Sequence, residues 1–469
     1  MSSSSVLNSL LGSSSSIDLS SILEALTGAS TPGIDVTAAV NSAVTAAEAP
    51  ETYWENQEST INSQGSALTQ IQTDATNLDN DMQSLNSLTG PLSATTVTSS
   101  NSSVVTGTSV SGTAAGTTTV VVNNLAASDS WSSDVVASST TALPAGSLTI
   151  TPAGGSATTI TIGSGVNTLS DLATAINGDD LGVTANVITD ANGARLSIVS
   201  NTSGSANDFT VSSSDPSNFG FTEVVPGANA SLTVNGISIA SASNTVTGVV
   251  PGLTLNLLNA DPGTQVDLTV SPDTSQVSTA VSQFVSDYNT LIQAVNAQYA
   301  DTSGSGEGVL ATDPTLRNLQ TALFQSVDYT STGSGTVSSL TSLGISVNDD
   351  GTLSVNSSTL NSALQNNFSG VQSFFQGSAL NGFANSLDQQ LSSFTDPGDG
   401  AFTVDLQSLT TELTGYQTDV TNFQNNVITP LQTQLQSEYS KAEIALQELP
   451  AEIKNIDAEL GLNNNSSNS

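Results

Sequence analysis

The C-terminal stretch constrains the fold most, because its apolar residues recur at steps of three and four. In its first half they are Leu406, Leu409, Leu413, Tyr416, Val420, Phe423 and Val427, and in its second half Leu435, Tyr439, Ala442, Leu446, Leu449, Ile453, Ile456 and Leu460. This spacing predicts helices with a narrow apolar seam, which needs a partner helix. Between Phe423 and Tyr439 every step is four, and Pro430 lies in that interval. We therefore predict two helical pieces joined at a break near Pro430.

A matching seam lies near the other end of the chain. Apolar residues recur there at every seventh position, and three more fill the second seam position. The first series is Val40, Ala47, Trp54, Ile61, Leu68, Ala75 and Met82, and the second is Ile71, Leu78 and Leu85. Pro50 can begin a helix but not continue one, so we predict a break there and a long helix from about 51 to 89. This helix is the natural partner of the C-terminal seam.

Between the two seams, residues 95–272 are rich in Thr, Val, Ser and Gly and contain short alternating runs, which predict strands. One helix follows the N-cap Thr168, and Asn192-Gly193 marks a hairpin. Helical spacing returns after Asp273 and after Asp313-Pro314, where Asp273 and Asp313 are predicted N-caps, and residues 344–355 predict another hairpin. The predicted fold class is α+β multidomain, with an antiparallel helical coiled-coil or bundle stalk formed by both chain ends and an inserted β-rich head of two modules.

Four domains are predicted from these changes of pattern. They are a flexible or coiled-coil leg (1–50 and 431–469), a helical bundle stalk (51–94 and 273–430), a β-rich head module (95–140 and 223–272) and an inserted β-rich module with one helix (141–222).

The seams supply two sets of candidate residues. As stalk core we predict Trp54, Ile61, Leu68, Ile71, Leu78, Leu85, Phe284, Tyr288, Leu409, Leu413, Tyr416, Val420 and Phe423. The outer tips have few partners left within the chain, so we predict that they contact another subunit or protein. These residues are Ile34, Val36, Val40, Val44, Ala47, Leu435, Tyr439, Ala442, Leu446, Leu449, Ile453, Ile456 and Leu460. An intramolecular core throughout both seams is the alternative, and the sequence leaves it open.

The composition argues against several classes of function. The 469 residues include no Cys and no His, which removes disulfides, thiol and imidazole catalysis and the usual zinc ligands. Four cationic residues stand against 41 acidic ones, and the formal charge of −37 repels nucleic acid and anionic membranes. No apolar run approaches the roughly 20 residues of a membrane span, and Met1–Ser16 lacks the features of a Sec signal. We predict no nucleic-acid partner, no membrane insertion and, for an exported chain, another route.

Two acidic loops could suggest calcium binding. They are Asn348-Asp-Asp-Gly and Asp396-Pro-Gly-Asp-Gly, and both lack the spacing and the terminal Glu of an EF-hand. Turn chemistry explains them better. Aromatic residues are too few to line a sugar cleft, so a glycosidase carboxylate pair is the weaker alternative. We predict no catalytic residue, metal or cofactor.

Several local sequences resemble those of a known family in the same order along the chain. Gly33-Ile-Asp-Val with Ala46-Ala-Glu-Ala-Pro, the stretch Val249 to Leu258, Gly308 to Leu319 and Ser342 to Leu353 are similar to the bacterial flagellar filament capping proteins, the flagellar hook-associated protein 2 family. Thr168 to Asn177, Gly182 to Val187 and Gly193 to Ser200 resemble the hook "IN" module of flagellar axial proteins. The chain lacks the Arg that often stands in the family's "AERAP"-like start, and has Glu48-Ala49-Pro50 instead.

The resemblance implies a structural part of the bacterial flagellum, not an enzyme. Capping proteins form a ring of several copies, most often a pentamer, at the distal tip of the filament, where they retain exported flagellin and promote its folding and incorporation. The implied partners are further copies of the chain, flagellin, the hook–filament junction proteins and a type III export chaperone. The implied location is extracellular, after flagellar type III export. Two alternatives remain: a tip adhesin, and a polymerising or junction axial protein.

Overall fold

The computed structural model of the protein describes residues 35–300, 307–331 and 337–459. The chain divides into two compact units. The first unit comprises Met1–Thr76, Leu291–Thr321 and Leu391–Ser469, and the second comprises Asn77–Thr290 and Ala322–Gln390. Ile34 and Leu460, both predicted contact residues, lie outside the described residues.

The N-terminal seam forms two helices, α1 (Val36–Ala47) and α2 (Ala49–Asn86). The carboxylate of Asp35 caps α1 by accepting a hydrogen bond from the Ala38 N–H at 3.0 Å. Glu48 separates the two helices, and Pro50 lies in the first turn of α2, where its missing N–H costs no intrahelical bond. The predicted break at Pro50 is confirmed.

The Thr- and Val-rich middle forms strands. They are β1 (Thr95–Ser99), β2 (Val105–Ser109), β3 (Gly116–Asn124), β4 (Ser130–Ser133), β5 (Gly146–Pro152), β6 (Thr158–Ile162), β7 (Val183–Asp190), β8 (Gly193–Ser200), β9 (Phe209–Ser213), β10 (Phe221–Val225), β11 (Ala230–Val234), β12 (Ile237–Ser241), β13 (Thr245–Val250), β14 (Leu253–Leu257) and β15 (Val266–Pro272). Helix α3 (Leu169–Gly178) lies between β6 and β7. Every pairing among these strands is antiparallel.

The outer strands of this series build one core. A five-stranded sheet in the order β1-β15-β3-β11-β12 and a three-stranded sheet in the order β13-β14-β2 share it. Alternate residues supply the buried side chains, such as Val120 and Val122 of β3, Leu255 of β14 and Leu268 of β15.

The inner strands build a second core together with α3. Their sheets have the orders β10-β4-β8-β7 and β6-β5-β9. Thr168 caps α3 by accepting from the Asp171 N–H at 3.1 Å, and Asp190 pairs with Gly193 in the β7–β8 hairpin, so both local predictions are confirmed. The structure extends this set of strands beyond the predicted range 141–222, because β4 pairs with β8 and β10 pairs with β4.

Helices follow the last strand, with one small hairpin among them. They are α4 (Thr274–Tyr299), α5 (Pro314–Val327), β16 (Ile345–Val347), β17 (Leu353–Val355), α6 (Ser357–Asn366), α7 (Phe368–Gln376) and α8 (Phe383–Thr395). Asp273 accepts from the Gln276 N–H at 3.2 Å and Asp313 from the Thr315 N–H at 2.8 Å. Both predicted N-caps are therefore confirmed.

The C-terminal seam forms α9 (Ala401–Phe423), a π-helical segment (Gln424–Ile428) and α10 (Thr429–Glu459). The predicted break at Pro430 is wrong, because the backbone stays helical through it. The wider π turn, in which the Thr429 N–H bonds to the carbonyl of Gln424, accommodates a proline that would clash with the carbonyl four residues earlier in a regular α-helix. The predicted α+β class with helical chain ends is confirmed.

Candidate functional site

The first unit pairs α2 with α9 in antiparallel orientation. Trp54 near the start of α2 contacts Phe423 at the end of α9 edge-to-face, with ring centroids 5.4 Å apart. Further along, Ile61 and Gly65 of α2 line a groove together with Leu406, Leu409 and Leu413 of α9.

The predicted core residues of the two helices that flank this groove are buried to different degrees. On α2, the predicted core residues Ile61, Leu68 and Ile71 are buried. Trp54 and the five predicted core residues of α9 are only half-buried: Leu409, Leu413, Tyr416, Val420 and Phe423. For Leu409 and Leu413 the physical reason for this difference from prediction is the groove itself, of about 480 Å³, which opens that side of α9 to solvent.

The remaining predicted core residues belong to the second unit. Leu78, Leu85, Phe284 and Tyr288 are all buried. Phe284 contacts Phe383 with ring centroids 5.6 Å apart, and an aromatic cluster adds Phe374, Phe375 and Tyr329. The sequence reasoning missed this cluster as a unit, because its members come from separate short helices and its only sequence signal was the density of Phe in residues 368–394.

The π-helical segment joins the groove to the outer helices. Gln424, its first residue, donates a hydrogen bond to the buried carboxylate of Glu51. Ile428 is 3% exposed, whereas Val427, which the steps of four placed in the seam, is 42% exposed. The π turn contains one extra residue, so the step from Phe423 to the next inward residue is five.

Helices α1 and α10 share a small core around Ile428. Val40 and Val44 are buried there, with Val36, Ala47, Phe423, Leu435 and Tyr439 packed against them. Six predicted contact residues therefore have an intramolecular partner, contrary to the expectation that few local partners remained. The reason is that α1 packs along α10. The predicted break at Pro430 gave no indication of this pairing.

The outer part of α10 remains uncovered within the described chain. Leu449 is 44% exposed and Ile456 is 51% exposed, and Ala442 and Leu446 are half-buried. Ile453 lies in the same helix. Ala442, Leu446, Leu449 and Ile456 of the predicted contact set therefore keep an accessible apolar surface.

Carboxylates do not gather into an ion site in the part of the chain that the structure describes. Across residues 35–300, 307–331 and 337–459, no group of three or more acidic side chains could hold a metal ion. Asp396 accepts hydrogen bonds from the N–H groups of Gly398 and Asp399, which lower the pKa of its carboxyl, as in an ordinary turn. Among the described helices, none is long and apolar enough to span a membrane.

One carboxyl has a raised pKa. Burial, then a hydrogen bond and the charge of Asp287, raise the pKa of Asp81 to about 7. This pair lies in the second unit.

Comparison with known proteins gives a consistent result. The family model "Flagellar hook-associated protein 2 C-terminus" matches residues 227–451, "Flagellar hook-associated protein 2 N-terminus" matches 32–129, and "Flagellin hook IN motif" matches 147–202. The chain is 31% identical to the B-type flagellar hook-associated protein 2 of Pseudomonas aeruginosa, over 65% of this chain and 70% of the relative. It is 30% identical to the flagellar hook-associated protein 2 of Escherichia coli K12, over 79% of this chain and 80% of the relative.

A solved structure agrees with this assignment. The D1-D2-D3 domains of the flagellar cap protein FliD from Escherichia coli superpose with a TM-score of 0.57 at 28% identity, covering 73% of this chain and 99% of that one. The resemblance read from the local sequences is confirmed. The chain belongs to the flagellar hook-associated protein 2 family, a structural family whose members cap the flagellar filament.

Proposed function

We propose that this chain acts at the distal tip of the filament as one copy of a ring that retains exported flagellin and promotes its incorporation. Family membership supports the cap role. The observation that carries the proposal further is the groove between α2 and α9, because a cap subunit must present a surface for lateral contact.

The groove has the properties of an interface for another helix. Its apolar residues, Leu406, Leu409 and Leu413, are spaced along one face of α9 and are half-buried. Polar residues such as Asn62, Thr69 and Thr410 surround them, which matches an apolar centre with a polar rim. An amphipathic helix of a neighbouring subunit or of flagellin fits such a surface.

Gly65 contributes to the depth of the groove. It is the only glycine within α2, and a Cβ built on it meets no atom within 4 Å. A side chain at this position would enter the groove without displacing a neighbour. A substitution at Gly65 can therefore block the groove while the chain still folds, so its effect on assembly reports on the groove itself.

The test is the substitution Gly65→Arg, with Gly415→Arg as matched control. Gly415 is also inside a helix with open space around it, but lies on the side of α9 opposite Leu406 and Leu413. Each variant would be expressed in a strain whose own copy of the gene is deleted, and filament length and flagellin lost to the medium would be measured. We expect Gly65→Arg to give short or absent filaments with flagellin in the medium, and Gly415→Arg to behave as the parent chain.

The purified variants extend the test to the ring. Mass photometry of the parent chain and of Gly415→Arg should show small closed oligomers, and Gly65→Arg should shift the population toward single chains. Full-length filaments with Gly65→Arg would contradict the role of the groove. Long polymers of the parent chain would contradict the cap and favour a polymerising axial protein.

The remaining partners and the secretion route follow from the same proposal. The chain is exported by the flagellar type III route, with a chaperone before export, and meets the junction proteins before filament growth. A supporting feature is the absence of Cys in a chain that passes through a narrow channel.

A further inference from the structure

The sequence contains four Asn-Gly pairs, and the structure describes all of them. They are Asn177-Gly178, Asn192-Gly193, Asn235-Gly236 and Asn381-Gly382. In such a pair the backbone nitrogen of the glycine can attack the side-chain amide carbon of the asparagine, because glycine has no side chain that hinders the approach. Asparagine is a thermolabile residue for this reason. The reaction in the folded protein depends on the hydrogen bonds and the packing around the two reacting groups.

Two of the pairs have a reacting group held by hydrogen bonds. Both amide atoms of Asn177 bond to Ala185: Nδ2 donates to the Ala185 carbonyl at 2.8 Å, and Oδ1 accepts from the Ala185 N–H at 2.8 Å. Gly382 is buried, and its N–H donates to the Gln376 carbonyl at 3.0 Å. The amide of Asn177 and the nitrogen of Gly382 are therefore fixed in other interactions.

The pair Asn192-Gly193 is fixed by packing. Gly193 begins β8 and is paired with Asp190 in the hairpin. A Cβ built on Gly193 would meet the carbonyl oxygen of Val136 at 2.3 Å, so this backbone lies directly against a neighbouring segment. The next residue, Ala194, exchanges two backbone hydrogen bonds with Val136, at 2.7 and 2.9 Å. Rotation of the Gly193 nitrogen toward the Asn192 amide is opposed by these contacts.

The pair Asn235-Gly236 forms the turn between β11 and β12. Asn235 has a φ of 49° and Gly236 a φ of 82°, which is the geometry of a type I′ turn. Both residues are exposed, and a Cβ built on Gly236 meets no atom within 4 Å. In the part of the chain that the structure describes, neither the Gly236 N–H nor the Asn235 Nδ2 has a hydrogen-bond partner. The attacking nitrogen and the leaving nitrogen are thus both accessible to water.

Thr119 adds an activating contact. Its N–H donates to Oδ1 of Asn235 at 2.9 Å, and its carbonyl accepts from the Asn235 N–H at 2.9 Å. Attack on the amide carbon places negative charge on Oδ1, and an N–H that already points at this oxygen stabilises that charge. Of the four pairs, Asn235-Gly236 therefore combines an activated carbonyl with an unoccupied nucleophile and an unoccupied leaving group.

We propose that Asn235 is a site of spontaneous deamidation in the folded protein. The Gly236 nitrogen gives its proton to water and forms a bond to Cγ of Asn235. The bond from Cγ to Nδ2 then breaks, and Nδ2 takes a proton from water and leaves as ammonia. Water opens the resulting cyclic imide at either carbonyl and gives an aspartyl or an isoaspartyl residue. No oxidant is involved, and the inference does not depend on the cap assignment.

The isoaspartyl product changes the sheet. It adds one methylene to the main chain within a two-residue turn, whose geometry depends on exact backbone dihedrals. Strand β12 is the last in the order β1-β15-β3-β11-β12, so its ladder partner is β11 alone. Strand β11 also pairs with β3 and keeps that partner. We therefore expect the modification to loosen β12 and to leave the other four strands of this sheet in place.

The test follows the full-length parent chain during incubation in mildly alkaline water enriched in heavy oxygen, which labels the new carboxyl group. Peptide mass spectrometry measures conversion at all four pairs. We expect Asn235 to convert about tenfold faster than each of the other three, the difference that one hydrogen bond of ordinary strength makes to a barrier. In guanidinium chloride the four pairs should convert at similar rates, because they share the same dipeptide.

Hydrogen exchange measures the consequence, with Asn235→Gly as matched control. This variant keeps a type I′ turn as Gly-Gly and lacks the reacting amide. Incubation should accelerate exchange of the β12 amides in the parent chain and leave them unchanged in Asn235→Gly. The proposal is overturned by conversion at Asn235 no faster than at the other pairs, by a preference for Asn235 that persists in guanidinium chloride, or by β12 exchange that stays the same after conversion to isoaspartate.

Discussion

Among single residues, Asp81 couples the stability of the protein to pH. It is half-buried beside Asp287, and its Oδ2 has no hydrogen-bond partner in the part of the chain that the structure describes. Burial, followed by Asp287, raises the pKa of the Asp81 carboxyl from 3.8 to about 7. A carboxyl that holds its proton more tightly in the folded state lowers the free energy of unfolding as pH rises from about 4 to about 7.

Replacing Asp81 should therefore stabilise the protein only at higher pH. Asp81→Asn removes the carboxylate that must be buried above pH 7, and we expect a gain of about 1–2 kcal/mol at pH 8 after allowing for solvent screening. At pH 4 the gain should vanish, because the parent carboxyl is protonated there. Scanning calorimetry at both values checks this. Asp396→Asn is the control, since the pKa of Asp396 is lowered and its replacement should give no gain at pH 8.

The unequal burial of the predicted core residues of α2 and α9 leads to a second prediction at this scale. Leu68 is fully buried, whereas Leu413 is half-buried. Leu68→Asp places an unpaired carboxylate in the core and should cost several kcal/mol. Leu413→Asp leaves the carboxylate in contact with water and should cost at most about 1–2 kcal/mol while still abolishing ring formation. Equal losses in melting temperature for the two variants would show that the groove is closed in solution.

At the scale of elements, most helix and strand positions could be predicted from the sequence. Caps such as Thr168, Asp273 and Asp313 act through local hydrogen bonds, and alternating runs such as residues 118–122 depend only on neighbours in the chain. The steps of four and Pro430 indicated an irregularity here, but they could not show that the helix continues through a π turn, because apolar spacing does not report whether an N–H bonds to the fourth or the fifth residue before it. That single extra residue moved the inward position from Val427 to Ile428, so the packing of α10 on α1 could not be predicted from the spacing.

The exposure of one side of α9 could not be predicted for another reason. Apolar spacing shows which face of a helix is apolar, but not how deeply that face is buried.

Removing the extra residue should preserve the packing of α10 on α1. Deleting Asn425 together with Pro430→Ala converts the π turn into a regular α turn and keeps Ile428, Leu435 and Tyr439 on the same face. Deleting Gln432 together with Pro430→Ala rotates Leu435 and Tyr439 by about 100° away from α1. We expect protection of the α1 amides in hydrogen exchange to survive the first change and to be lost in the second. Loss of protection in both variants would show that α1 requires the π turn itself.

At the scale of the whole molecule, the strand order explains how one β-rich module can lie inside another. Strands β3 and β11 are neighbours in the five-stranded sheet, and the chain between them forms the second core. Ala127 and Ala228 pair just beyond these strands, so the chain leaves and returns at adjacent points. We propose residues 128–227 as the inserted module, in place of the predicted 141–222.

The inserted module should be removable. Replacing residues 128–227 with Asn-Gly joins Ala127 to Ala228 through a two-residue turn, which suits an antiparallel pair. We expect the remaining chain to fold with the β-rich circular dichroism of its own two sheets, and the fragment 128–227 to fold separately. Aggregation of the shortened chain, with a disordered fragment, would show that the two cores form only together.

The pairing of α1 with α10 also sets a schedule for folding. Val40 and Ile428 pack together although nearly four hundred residues separate them. At synthesis rates of roughly 5–20 residues per second, roughly 20–80 s pass between the synthesis of α1 and that of its partner helix. The apolar face of α1 has no partner during this time. Among the described helices, the last one made is therefore the one that buries the first, and a nascent chain exposes an unprotected valine face until synthesis is almost over.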